Sequence, residues 1–246
     1  MKLFLVLAVS MTVLTSCSSD DKPTYNPPAA QTMLITKQTE GENPDFIMGV
    51  REFTFDNDNR IVSELTNNAT VTYTWTNGKI SKKSSTNGTT TRETTYEYDS
   101  NGQLIKEEER NLTNNSLDHR YEYIYFANHF DEKYYNSSGE YTWRYEYYYD
   151  AGKKNVTSVR MYSAAGAYSG KYEYAFDDKN SVNLIAPYAQ FPEPFYNANN
   201  RVTLSEFTNA NEVMETVNYT FDFNDMGYPT VSLQDTFYIQ YDYTVK

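Results

Sequence analysis

Acidic side chains are the first residues in this sequence with the types and spacing for chemistry. Glu107, Glu108 and Glu109 are consecutive, and Asp131 and Glu132 form a second pair. Two carboxylates can cleave a glycosidic bond when apolar surroundings raise one pKa and the pair is held at a fixed separation. A run of three glutamates on a strand alternates faces, however, and reads more simply as a solvated edge that resists aggregation. The two histidines, His119 and His129, fall in "NNSLDHRYEY" and "FANHFDEK", a polar stretch and a turn. Neither belongs to an HExxH or HxH pattern, so no zinc site is expected. "DNDNR", residues 56–60, lacks the glycine of a calcium loop and puts Arg60 where a ligand is needed. There is no GxSxG elbow; "SAAGAYSG", residues 163–170, is a small-residue loop. The expectation is a non-enzymatic protein with no cofactor and no metal.

Charge narrows the partners. Lys and Arg number 21 against 33 Asp and Glu, a net of -12. Nucleic acid and the anionic face of a membrane would both be repelled, so neither is expected as a partner. Tyrosine stands out with 25 copies, beside 13 Phe and only 10 Gly. Tyr, Phe, Thr and Val favour strands, and Asn, Asp and Gly supply the turns between them.

One unit recurs along the chain. "YEYDSNGQLIKEEE", residues 96–109, has relatives in "FTFDNDNRIVSEL", "YTWTNGKISK", "YYYDAGKKNVTSV", "YAFDDKNSVNL" and "FDFNDMGYPTVSL". "YIYFANHF" and "FYNANNRVTL" are weaker copies. The second aromatic falls at Phe55, Trp75, Tyr98, Tyr125, Tyr149, Phe176, Tyr196 and Phe223, a period of 20 to 27 residues. Self-similarity at such a period marks a repeat architecture. Within a unit, alternation such as Tyr145-Tyr147-Tyr149 signals a strand buried on one side. Asp or Asn, then Gly or Asn, turns the chain, and Ile61, Ile80, Leu104, Val156, Val182 or Val202 returns to pack against the aromatic.

These hairpins predict an all-β fold, a long antiparallel meander of about 16 strands that curls over its aromatic face. A twisted half-barrel, a closed shell and a folded-over sandwich all satisfy that requirement. Burying the rings, at about 25 cal/mol per Å², is its main stabilising term. No amphipathic helix is expected. Residues 185–200, "IAPYAQFPEPFYNANN", break the pattern with Pro187, Pro192 and Pro194. Proline cannot donate to a ladder, so the segment is expected as a surface excursion or a cap over an open end. If the protein binds a ligand, aromatics off the buried face are the candidates: Tyr188, Phe191 and Phe195 in this loop, and Tyr148 on its strand. Tyr135 and Phe126 are out of phase in the same way. A contiguous platform of exposed rings would favour glycan binding; a buried aromatic face under a polar exterior would favour a scaffold.

The N-terminus belongs to processing rather than to the fold. Lys2 precedes the apolar residues 3–14, too few to span a bilayer, and "LTSC" ends at Cys17, the sole cysteine. "LTSC" resembles the bacterial lipobox, which implies a lipidated Cys17 and cleavage before it. "SSDDK" after it resembles the acidic surface-export signal of Bacteroidota lipoproteins, and implies the cell-surface side of the outer membrane. The domain plan is a signal peptide (1–16), a lipidated Cys17 with an extended Pro-rich tether (17–32), and a single β-domain (33–246). The aromatic-x-aromatic-Asp-x-x-Gly pattern resembles the YD repeats of RHS-type proteins. With "FDDKNSVN" and "FNDMGYP", it is similar to a group of Bacteroides surface lipoproteins. That resemblance implies an all-β fold and a surface location; the partners expected are the membrane, through the lipid on Cys17, and a glycan or another envelope protein. The resemblance implies no reaction.

Overall fold

The computed structural model of this protein describes residues 32–245; the signal segment, Cys17 and the tether up to Gln31 lie outside the described residues. The chain opens with β1 (Met33–Asn43), β2 (Phe46–Phe55), β3 (Ile61–Thr66) and β4 (Thr70–Thr76). Then come β5 (Lys79–Thr86), β6 (Thr91–Tyr98), β7 (Leu104–Asn111) and β8 (Ser116–Tyr125). β9 (His129–Tyr135), β10 (Tyr141–Tyr149), β11 (Val156–Ser163) and β12 (Tyr168–Asn180) follow. The last four are β13 (Asn199–Thr208), β14 (Val213–Phe223), β15 (Pro229–Gln234) and β16 (Phe237–Val245).

Each strand pairs antiparallel with the next, and β16 closes on β1, with Met33 opposite Val245 and Gly41 opposite Tyr238. The all-β expectation holds, but the sheet is a closed sixteen-stranded barrel rather than an open meander. Closure satisfies the backbone groups that two free edges would expose. Glu107 to Glu109 therefore have no edge to protect.

The repeat owes its shape to its turn. Asp56 Oδ1 accepts from the N–H groups of Asp58 and Arg60, both at 2.9 Å. Asp99 repeats this with Asn101 and Gln103, and Asn224 with Met226 and Tyr228. Gly102 closes its turn at φ +81°, where a side chain would be strained. The acceptors of "DNDNR" are thus spent on its own turn and on Arg60. Just before the second aromatic the ladder slips by one residue, as between Thr74 and Trp75 and between Glu97 and Tyr98. The slip sets Phe55 opposite Ile61, Trp75 opposite Ile80, Tyr98 opposite Leu104 and Tyr149 opposite Val156.

Neighbouring repeats are also tied together. Trp75 Nε1 donates to the Ile61 carbonyl at 2.8 Å, Tyr98 OH to that of Ile80 at 2.7 Å, and Tyr125 OH to that of Leu104 at 2.8 Å. An inward ring so placed buries its body and still satisfies its polar tip. Phe53, Tyr96, Tyr123 and Phe130 join the aliphatic layer in the core, with the other inward tyrosines packed against it.

One part of the repeat series is wrong. Phe176 and Tyr196 do not mark two hairpins: β12 pairs with β13, and residues 181–198 connect them as a single insertion. This strap holds only two short 3₁₀ turns, Val182–Leu184 and Tyr188–Gln190. It does not lie on the surface. A sixteen-stranded barrel is too wide for its own side chains to fill, and the strap supplies the missing apolar volume.

Candidate functional site

The strap enters the barrel at the end that carries the repeat turns. Alternate hairpin connections share this end, and Met33 and Val245, opposite each other at closure, lie there too. Its backbone is pinned first to β1, where Ile35 N–H donates to the Ala186 carbonyl at 2.8 Å. Gln190 then bridges to the β3 edge of the first repeat, accepting from Ile61 N–H and donating to the Asn59 carbonyl, both at 2.7 Å. At its far end Asn197 accepts from Val156 N–H at 2.8 Å, and Ala198 N–H donates to Lys154.

Aromatic anchors hold the stretch between. Tyr188 meets Phe53, Phe191 and Tyr241 edge-on, Phe191 stacks on Tyr73 at 5.7 Å, and Phe195 packs on Tyr149 at 4.8 Å. Tyr188, Phe191 and Phe195 are therefore brought together as interior anchors of the strap rather than as an exposed surface. Tyr148 is apart from them, on the outer wall.

Above the strap the lumen becomes polar. In the strand that follows each turn, the ladder slip flips the phase, so the residue three places after the aliphatic faces inward. Ile61 is followed by Glu64, Ile80 by Lys83 and Leu104 by Glu107. Glu132 joins them from β9. Each lies across from an inward aromatic: Phe53 opposite Glu64, Tyr73 opposite Lys83, Tyr96 opposite Glu107 and Tyr123 opposite Glu132. Glu193 of the strap reaches the same layer. Glu64, Lys83, Glu107 and Glu193, with Arg51, Arg92, Glu109, Phe191 and Pro192, enclose a cup of about 440 Å³, within the size range of small-molecule sites. Glu132 lines a side recess that also reaches Glu193.

Part of this charge is satisfied internally. Glu64, 4% exposed, accepts from Arg51 Nε at 2.7 Å and from Tyr73 OH at 2.9 Å. Arg92 donates to Asp118 at 2.8 Å, and Thr94 Oγ1 to Glu109 at 3.1 Å. Glu132 is pushed up to about 7, first by burial and then by Glu107 and Glu193, against the hydrogen bond from Tyr147 at 3.2 Å. Glu193 is likewise pushed up to about 7 by burial and Glu107, with Lys83 opposing. Glu193 is nonetheless exposed to the open cup, and solvent screening tempers the shift. Burial, with Glu109 beside it, raises Glu107 against the pull of Lys83.

A carboxyl raised above its unfolded value stabilises the fold fully below that value, and the contribution is lost as pH climbs through the folded pKa. Glu132 should therefore make the barrel less stable at pH 8 than at pH 5, by on the order of 2–3 kcal/mol. Denaturant titrations at the two pH values measure this, and Glu132→Gln should flatten the difference.

The signal for this layer was present but masked. The sequence offers Glu107, Glu108, Glu109, Asp131 and Glu132 as carboxylates from which a catalytic pair could be drawn, and reads Glu107 to Glu109 more simply as a solvated edge; Glu64, Lys83 and Glu193 do not stand out in it. Strict alternation from Leu104 would send Lys106 and Glu108 inward. The slip reverses this, so Glu107 and Glu109 face in while Lys106 and Glu108 face out.

The outer wall carries rows of ion pairs. Lys82 meets Glu93 at 2.9 Å, Lys106 meets Glu97 at 2.8 Å, Arg110 meets Glu108 at 2.7 Å and Arg144 meets Glu146 at 2.9 Å. Outward threonines, Thr70, Thr72, Thr74 and Thr76, line β4. A barrel wall in lipid needs a continuous apolar band about 25 Å tall, and a charge at its midplane costs about 2–4 kcal/mol. The ion pairs interrupt any such band on β5 to β7 and on β10. Rings on the wall stack on one another: Phe126 on His129 at 4.4 Å and His129 on Tyr148 at 5.1 Å, with Arg160 over Tyr148 at 4.6 Å. His129 and Tyr148 thus have ring faces covered by neighbours, while Phe126, 47% exposed, keeps one side open.

These features define a closed, sixteen-stranded up-and-down barrel with an internal strap and a hydrophilic outer wall. Its fold is shared with a porin-like protein from Bacteroides uniformis: TM-score 0.54, 12% identity, 86% of this chain and 96% of that one. A porin-like protein from Bacteroides vulgatus aligns over 86% of this chain and 99% of its own, at 13% identity and TM-score 0.46. No protein-family model matches the chain, and no curated protein does. The likeness to YD repeats therefore rests on the hairpin motif alone.

Proposed function

We propose that this protein is a non-enzymatic binding module of the outer membrane, held by lipid on Cys17 and exposed at the cell surface. In this reading the barrel stands in water on its tether and serves as a scaffold for one cup. The observation that carries it is the set of ion pairs on the outer faces of β5 to β7 and β10, which suits solvent rather than acyl chains. The strap supports it from inside, because it takes up part of the lumen that a pore would leave open.

Glycan capture is the alternative, and it draws on the cup rather than on Tyr148, whose ring lies between His129 and Arg160. A structural or adhesion role in the envelope would leave the cup without purpose.

Two measurements test the proposal. Cys17→Ala should abolish palmitate labelling and release the protein from membranes; a variant still bound and labelled overturns the anchor. The unlipidated protein should neither insert into planar bilayers nor conduct ions, and stable conductance steps would defeat the tethered reading.

A further inference from the structure

Three charged side chains of the cup are left without a direct partner. Among the described residues, Lys83, Glu107 and Glu193 make no side-chain hydrogen bond, and no ion pair within 4.0 Å involves them. Lys83 acts on both carboxylates only at a distance, and Glu107 and Glu193 disfavour each other's charge. Their neighbours are already engaged: Arg51 with Glu64, Arg92 with Asp118, and Glu109 with Thr94. One ammonium and two carboxylates therefore converge on the same lumenal water.

Charge decides what could replace that water. An anion drawn to Lys83 meets Glu107 and Glu193, and a simple cation drawn to them meets Lys83. A neutral polyol would strip water from three charges and return only neutral hydrogen bonds, which are about half as strong as charge-assisted ones. A molecule bearing both signs satisfies all three groups. We propose that the cup binds a small zwitterion, a free α-amino acid or a dipeptide, with its carboxylate on Lys83 and its ammonium shared between Glu107 and Glu193. The volume suits that size, and inward tyrosines such as Tyr73 and Tyr96 give the side chain an apolar wall. The assignment rests on the cup being a binding site.

Binding an ammonium favours the ionised carboxylates, so affinity rises with pH through neutrality and protons leave on binding. The charged groups that share a cavity with Glu193 are Arg51 on β2, Glu64 on β3, Lys79 and Lys83 on β5, Arg92 on β6, Glu107 and Glu109 on β7, Glu132 on β9 and Arg201 on β13, with the phenols of Tyr98 and Tyr196 beside them. The nearby phenols of Tyr96 and Tyr123 are pushed far above neutrality by burial and stay un-ionised.

The test is calorimetric titration with each L-amino acid, with glycine-containing dipeptides, and with lactose and maltose as neutral polyols. ¹⁹F-labelled tyrosine reports on the cup throughout. At least one zwitterion should bind with sub-millimolar affinity, and its amide and its N-acetyl derivative should each bind at least tenfold more weakly. Lys83→Met and Glu193→Gln should cost a similar factor, and Glu193→Gln should reduce the proton release between pH 6 and pH 8. Both substitutions keep the side-chain shape, and unchanged melting confirms the fold. Disaccharide binding without amino-acid binding overturns the zwitterion and leaves the cup standing. So does zwitterion binding that is indifferent to Lys83→Met and Glu193→Gln. If neither ligand class binds or moves a tyrosine resonance, the cup falls as well.

Discussion

Glu64→Ala should lower the stability of the barrel by about 3–5 kcal/mol. Glu64 is buried on β3 and gathers two donors from its neighbours, the Arg51 guanidinium of β2 and the Tyr73 hydroxyl of β4. Alanine strands a half-buried guanidinium and a buried hydroxyl at once, and both must then find water or move. Losing an unpaired charge's partner is costlier than the pair's own net contribution, because the desolvation of the survivor is no longer offset. Glu64→Gln keeps an acceptor for Tyr73 while removing the charge, so it should fall between wild type and alanine. A shift in the denaturant midpoint, with an unchanged slope, measures both. If alanine and glutamine cost the same, the ion pair is not the source of the effect.

Phe130→Ala should cost a comparable 3–5 kcal/mol, through packing rather than charge. Phe130 is 1% exposed and lies flat on Tyr147, with ring centroids 4.5 Å apart and planes 2° from parallel. Tyr125 and Tyr149 close on it at 5.8 and 5.9 Å. Removing the ring opens a cavity between three tyrosines that are held by their own strands, so little collapse can fill it. Phe130→Leu restores most of the volume and should recover more than half of the loss. A leucine variant as unstable as alanine would mean that the parallel stack, not cavity volume, dominates the site.

Both residues belong to the inward layer over which the repeat is built, and that layer was only partly legible. The aromatics at Trp75, Tyr98, Tyr125 and Tyr149 and the returning Ile61, Ile80, Leu104 and Val156 were readable from alternation and turn residues alone. They face inward as that pattern requires. The charged ring of Glu64, Lys83 and Glu107 was not readable, because a one-residue slip in the ladder reverses which face a residue takes. Nothing local distinguishes a slipped hairpin from a regular one of the same sequence. Tyr188, Phe191 and Phe195 were hidden for another reason. Their prolines rule out a place in the ladder, which fits a surface loop and an interior strap equally well.

The sequence by itself determined the strand-and-turn tile, its repetition and the antiparallel order of neighbours, since each depends on contacts within one or two hairpins. Closure of the sheet, descent of the strap into the lumen, and the meeting of Lys83, Glu107 and Glu193 belonged to the tertiary structure alone. β1 and β16 are as far apart along the chain as any two strands in the barrel, and no periodicity reports whether such ends will meet. Once they do, the lumen is too wide for one layer of side chains, and burying the strap's apolar anchors there is what brings Glu193 to the charged ring.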